Sequence, residues 1–203
     1  MIRIRMVPAS PFVRKCRIAA AHLGLMDRVI FIDAPDDRDN ALRNNNPLGK
    51  IPIALLENGE ALYDSRVILE YFDFLAGGGR IIPGDPARRF KTLTHQALAD
   101  GVMDAAVLLG YETRFREPHQ HSPKWIALQE GKIATALDFA EAAPDIHAIA
   151  GDIDVGHIAL ACALGFLDLR RGGGWRESRP ALVAFLERFA GQVPSFAATK
   201  AAR

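Results

Sequence analysis

A chain of 203 residues, 49 % of them hydrophobic, has the material for one large core or two smaller ones. Its 25 basic residues stand against 24 acidic ones, a net charge of +1 that removes the electrostatic case for a nucleic-acid or anionic-membrane partner. No apolar run reaches the roughly 18 residues of a membrane span. Two cysteines, Cys16 and Cys162, lie far apart in helix-like segments and fit a reduced, cytoplasmic protein without a disulfide.

Residues 2–7 alternate as a first strand, with Ile2, Ile4 and Met6 on one face. This start lacks the apolar core of a signal peptide. Ser10-Pro11 then reads as an N-cap followed by proline at the first helical position, where its missing N–H is no loss. The helix runs through Val13, Cys16, Ile18 and Ala20 and stops at Leu23-Gly24. Val29–Ile32 is short and apolar, as a buried strand is. Residues 33–50 are rich in Asp, Arg and Asn, which predicts a mobile surface segment with little regular structure. Two apolar runs, Ile51–Leu56 and Ala61–Tyr63, flank Glu57-Asn58-Gly59-Glu60; Asn-Gly in that setting is a strong hairpin signal. Asp64-Ser65 opens a helix carrying Val67, Ile68, Tyr71 and Phe72.

Gly77-Gly78-Gly79 and Pro83-Gly84-Asp85-Pro86 break the pattern and divide the chain into 1–76, a linker over 77–86, and 87–203. Beyond the linker everything reads as helix. Phe90, Leu93, Ala97, Val102, Ala105 and Leu109 recur at helical steps, then Ile126, Ile133, Leu137 and Ala140. Asp154 caps a helix whose run Ile158–Leu169 is apolar nearly all round, as the centre of a bundle is. A glycine-rich loop over 171–175 precedes a last amphipathic helix from Pro180. The order is therefore β-α-β, then β-β-α, then helices: an α/β half with a small mixed sheet, followed by an all-α half.

Two stretches in the first half suit a small anionic peptide held by its backbone and its α-amino acid end. Asn46-Pro47-Leu48-Gly49-Lys50-Ile51-Pro52 puts a rigid turn before a strand. Pro52 fits there as a strand-initiating proline, and an X-Pro bond also takes the cis form at only about 0.5–1 kcal/mol. Asp64-Ser65 puts a helix N-terminus, with its free N–H groups and partial positive charge, after the hairpin. Either residue also serves as an ordinary cap.

With Ser10-Pro11-Phe12-Val13-Arg14-Lys15 after the first strand, Asn46 to Pro52 before the hairpin and Asp64-Ser65-Arg66-Val67-Ile68 at the next helix, the chain resembles the glutathione transferase family. Ala159–Leu164, Leu164–Arg170 and Val193-Pro194-Ser195-Phe196 carry the resemblance through the second half and look like a bacterial branch. It implies a thioredoxin-like domain with a mixed four-stranded sheet, then a helical bundle. It also implies a cis Pro52 that leaves the Ile51 backbone to pair with the cysteinyl peptide of glutathione. Asp64 and Ser65 would take the γ-glutamyl end, and Lys50 or Arg14 the glycine end.

Ser10 is the chemical candidate by the same resemblance. A thiol with an ordinary pKa of about 8.5 is mostly protonated at neutral pH, and a hydroxyl donor at a helix start favours the thiolate. Ser10 would stabilise the nucleophile without becoming one; its plain alternative is capping. Phe12, Tyr111, Phe115 and Trp125 are electrophile-pocket candidates, or simply core aromatics. Asp104 would reach a partner subunit's ligand in a homodimer. Thiol–disulfide exchange by the protein is not expected, since the helix start reads Ser10-Pro11-Phe12-Val13 rather than Cys-x-x-Cys. His119 and His121 lack a completing ligand set, so no metal is assigned. At Asp154-Val155-Gly156-His157 the family has a Ser/Thr-x-x-Asp box, and His157 is not expected to reciprocate as a carboxylate does. The expected activity is glutathione conjugation or substitution on an apolar electrophile. The alternatives are a non-catalytic binding protein of the same fold, or a glutathione-dependent isomerase or dehalogenase.

Overall fold

Alternation in Ile2–Met6 makes strand β1, with Ile2 and Ile4 inward and Arg3 outward. The computed structural model describes residues 1–35 and 42–201. Helix α1 (Pro11–His22) follows and ends before Gly24, whose φ of 71° lies in the left-handed region glycine adopts freely. It carries the chain back so that β2 (Val29–Asp33) lies parallel to β1, Ile2 opposite Val29 and Met6 opposite Asp33; parallel neighbours need such a crossover. On the other side of β1, β3 (Ile53–Leu55) is antiparallel with Ile53 opposite Arg5, and β4 (Ala61–Leu62) pairs back with Leu62 opposite Ala54. The sheet order is β2-β1-β3-β4. Helix α2 (Ser65–Leu75) packs on α1 and buries Ile68, Leu69 and Phe72.

The polar stretch 33–50 is more built than its composition predicts. Residues 36–41 lie outside the described residues. From Leu42 onward, turns bury Leu42 and Asn46, and Leu42 joins Ile53 and Leu55 in a small core. Asn46 organises the loop: its Oδ1 accepts from the Leu48 N–H at 3.1 Å and its Nδ2 donates to the Lys50 carbonyl at 2.9 Å. Asparagine can make such a local turn because its short amide reaches the backbone two to four residues on.

After α2 the chain turns through Gly77, Gly78 and Gly79 at φ of 100°, 77° and 73°. Asp73, buried near the end of α2, accepts from the N–H groups of Gly79, Arg80 and Ile81 at 2.7–2.8 Å. The break is thus tied to the helix before it.

Two compact units result: Met1–Arg89 with the segment from Val193, and Phe90–Gln192. The second is helical, built on α3 (Pro86–Phe115), α4 (Pro123–Ala142), α5 (Pro144–His147), α6 (Val155–Arg171) and α7 (Pro180–Gln192). Every residue from Val155 to Leu164 is buried, so α6 is the bundle's centre. The inward face of α3 differs from the expected one. Phe90 and Ala97 point outward, while Thr92, Gln96 and Asp100 are buried. At Thr92 the reason is polar: its Oγ1 donates to Asp154 Oδ2 at 3.0 Å.

His157 also departs from expectation and does reciprocate. The His157 N–H donates to Asp154 Oδ1 at 2.9 Å, and the Asp154 N–H to His157 Nδ1 at 3.2 Å. Nδ1 also lies 2.9 Å from Asp154 Oδ1, within reach of that carboxylate as well. Finally, a short helix α8 (Pro194–Ala198) groups with the first unit, which a division into two continuous halves does not anticipate.

Candidate functional site

Topology brings the first unit's candidates to one end of its sheet. β1 finishes at Met6, just before Ser10 opens α1. Because β3 is antiparallel to β1, it begins at that end, entered through Lys50-Ile51-Pro52. Since β4 is antiparallel to β3, it finishes there as well, and Asp64-Ser65 follow. Three chain connections therefore leave the same end of the sheet and carry Ser10, Ile51-Pro52 and Asp64-Ser65 together.

The peptide Ile51-Pro52 is cis, and so is Tyr63-Asp64. Pro52 is buried and the Ile51 side chain packs against Leu42, Ile53 and Leu55. Ile51 is thus anchored by its side chain, while neither the sheet nor the turns of the described residues engage its N–H and C=O. Those two groups suit an extended peptide laid beside them as an added strand. The Lys50 side chain is exposed and its carbonyl is held by Asn46.

Asp64 caps α2 with Oδ1 accepting from the Arg66 N–H at 2.9 Å. A carboxylate accepts at two oxygens, so the cap leaves Oδ2 for a cation such as an ammonium. Ser65, 2 % exposed, is the first helical residue, where backbone N–H groups have no partner within the helix. At Ser10, Oγ accepts from the Val13 N–H at 3.3 Å. That bond occupies a lone pair and leaves the hydroxyl proton to donate elsewhere. Capping and thiol contact are therefore compatible in one serine.

Other candidates are placed differently. The Arg14 guanidinium, expected among anion contacts, is buried and bonded to α8. Phe12 is half-buried, its ring 5.7 Å from Lys15 Nζ. In the second unit Tyr111 and Phe115 meet edge to face at 5.2 Å and are 48 % and 66 % exposed, so they are surface aromatics of that unit. Trp125 and Asp104 are also exposed there. Cys16 is fully buried, which removes it from exchange chemistry at the surface. His121 Nε2 lies 3.3 Å from the Arg116 carbonyl, and no group of three ligating side chains forms among the described residues.

A small mixed sheet with a cis-proline at the entrance to its hairpin, joined in one chain to a helical unit, defines a two-unit protein of thioredoxin-like type. Profiles of the glutathione S-transferase N-terminal and C-terminal domains match residues 9–74 and 123–188. An uncharacterised GST-like protein of Escherichia coli K12, YibF, is 36 % identical over 180 residues, 88 % of each chain. A glutathione transferase family member from Pseudomonas fluorescens Pf-5, solved with bound glutathione, is 41 % identical with a TM-score of 0.93 over the whole of both chains. Its structure with bound S-(propanoic acid)-glutathione aligns at 40 % identity and a TM-score of 0.88, again over both whole chains. The chain belongs to the glutathione S-transferase family.

Proposed function

We propose that this protein is a glutathione transferase: it binds glutathione at the shared sheet end, stabilises its thiolate and directs it at an apolar electrophile. The observation that carries the reading is the convergence of the cis Ile51-Pro52 backbone, the Asp64-Ser65 helix start and the Ser10 cap on one end of the sheet. Its similarity to a Pseudomonas protein with bound glutathione supports the ligand. In this reading Ile51 pairs with the cysteinyl backbone, while Asp64 takes the α-ammonium. Ser65 and the first N–H groups of α2 take the neighbouring carboxylate, and Lys50 the glycine carboxylate. The Ser10 hydroxyl donates to the sulfur and favours the anion, each unit of pKa depression being worth about 1.4 kcal/mol. The thiolate then attacks carbon directly, forming a C–S bond as a leaving group departs with its bonding pair or, in an addition, as the π pair moves to the neighbouring atom and takes a proton from water, with no covalent enzyme intermediate. Residues 1–76 hold the thiol, and the helical part after the 77–86 linker selects the electrophile, with Phe12, Tyr111 and Phe115 as its candidate contacts.

A cytoplasmic homodimer goes with this function. Its support is the outer side of α2, where Val67 and Phe74 are 46 % and 71 % exposed; Asp104 is the residue that would reach the partner's ligand. Sedimentation of the purified chain reads the pairing, and a monomer would remove that part of the proposal. The test of function is a glutathione titration followed by thiolate ultraviolet absorbance, wild type against Ser10→Ala. Wild type should bind glutathione with a depressed thiol pKa, and Ser10→Ala should bind it with the pKa restored toward 8.5. Unchanged ionisation in the variant would remove Ser10 from the mechanism. Absence of binding in wild type would end the transferase reading.

A further inference from the structure

Four residues beyond Ser10, Arg14 sits on the first turns of α1 with only 9 % of its surface exposed. Its backbone N–H closes the first turn on the Ser10 carbonyl at 3.0 Å. Its side chain reaches the far end of the chain. Nη2 donates to the Phe196 carbonyl at 2.6 Å, Nε to Thr199 Oγ1 at 3.3 Å, and the guanidinium carbon lies 4.0 Å from the centre of the Phe196 ring. Thr199 is itself fixed, its hydroxyl donating to the Ser195 carbonyl at 2.7 Å, and Val193 and Thr199 are buried. A planar fork, a stacked ring and a fixed hydroxyl are what arginine supplies and lysine does not.

This fastening lies in the turn that Ser10 caps. Helical side chains lean toward the N-terminus, so the Arg14 stem covers the turn beginning at Ser10. A cation held near a helix N-terminus also adds to the potential that favours a thiolate there. The C-terminal segment groups with the first unit although some 180 residues separate it from α1, and Arg14 supplies two hydrogen bonds to it.

Resting on the glutathione reading above, we propose that Arg14 is a positioning residue for the thiol: the C-terminal segment, locked through Phe196 and Thr199, fixes the first turn of α1 and with it the Ser10 hydroxyl. The tail is then part of the machinery that sets thiol ionisation, although no residue of it touches the sulfur.

The test compares wild type, Arg14→Lys and Thr199→Val by the pH midpoint of bound-glutathione thiolate absorbance, glutathione Kd and Tm. Arg14→Lys keeps the charge and loses the fork. It should raise the midpoint by about 0.5–1 unit, reducing the thiolate-to-thiol ratio at a given pH about three- to tenfold, while Kd stays within about threefold. Thr199→Val should move the midpoint the same way by less. A merely structural contact would lower Tm and leave the midpoint alone; that result overturns the proposal. So does a midpoint shift that appears only with a matching loss of glutathione affinity. If Arg14→Lys does not fold, Thr199→Val decides, and an unchanged midpoint there rejects the role. A wild type that binds glutathione without depressing its pKa defeats the Ser10 reading and this proposal together. A depressed wild-type midpoint left intact in both variants defeats this one alone.

Discussion

Side chains at the element ends of this protein repeatedly fix the local backbone with part of their hydrogen-bonding capacity. Ser10 accepts from Val13 and keeps its proton; Asp64 caps with one oxygen and keeps the other; Asp73 gathers four N–H groups of the turn that leaves α2. His157 is the case that can be tested without a ligand. Its Nδ1 faces the Asp154 backbone N–H and carboxylate, and Nε2 lies 3.3 Å from the Ala148 carbonyl. Removing the ring strips the cap of its reciprocal half, and cap losses are typically about 1 kcal/mol. His157→Ala should therefore destabilise the protein by about 1–2 kcal/mol in urea unfolding, and His157→Gln, which retains an acceptor and a donor, by less. Equal stability of the alanine variant would mean the box contributes nothing. Ser10, Asp64 and Ser65 were legible as helix starts because caps are local chemistry. Asn46 carried a local signal too, in the rigid turn read over Asn46 to Pro52, although its burial and its two backbone partners were not foreseen. Arg14 had none, because its partners lie more than 180 residues away.

Elements were legible where their periodicity answers to apolar burial and less so where polar residues take the inward face. The sheet, α1, α2 and the apolar α6 follow their hydrophobic patterns. The start of α3 does not, because Thr92, Gln96 and Asp100 face inward there and Phe90 and Ala97 face out. Close approach between α3 and α6 accompanies that polar seam. A Cβ on Gly156 would lie 3.0 Å from the His95 Cβ and 3.3 Å from the Thr92 carbonyl oxygen. Neither atom is the loose end of a side chain, so the helices must separate to admit a methyl. Gly156→Ala should consequently destabilise the protein by about 1–3 kcal/mol, against the usual preference of helices for alanine. Gly131 on α4 is the comparison, exposed and with nothing within 4 Å of its built Cβ. Gly131→Ala should stabilise by about 0.5–1 kcal/mol. If both changes move the urea midpoint the same way, the close approach is not what selects glycine at 156.

At the scale of the molecule, glycine and proline interrupt both periods over 77–86, Asp73 holds the turn there through its N–H groups, and the compact units divide a little later, between Arg89 and Phe90. The return of α8 to the first unit was not legible, since the contacts that tie it, such as those from Arg14 to Phe196 and Thr199, span more than 180 residues. What the whole fold adds is a cluster of titrating groups in the second unit. His95 lies 3.8 Å from Asp145, which is 2.9 Å from Lys91; Asp154 and His157 also act on it. Burial lowers the His95 pKa below its ordinary 6.5, and Asp145 and Asp154 offset this only in part. For Asp154, burial pushes upward, yet hydrogen bonds from His157 and Thr92 outweigh it and hold the carboxyl below its ordinary 3.8. Both shifts have one sign: the unfolded chain binds protons more readily at these groups, so stability rises with pH. The His95 contribution is complete above 6.5 and lost as pH falls through its depressed folded value, while that of Asp154 is complete above 3.8 and lost at still lower pH. Trp125 and Trp175, the chain's only tryptophans, both lie in this unit, so their emission follows its unfolding. The urea midpoint of wild type should fall between about pH 7 and pH 5, and His95→Gln should flatten that step. The steeper loss below about pH 4 should survive in His95→Gln and shrink in Asp154→Asn, once the weaker cap is allowed for at pH 7. A wild-type midpoint that stays level from pH 7 to pH 5 would show that burial of His95 carries no proton linkage.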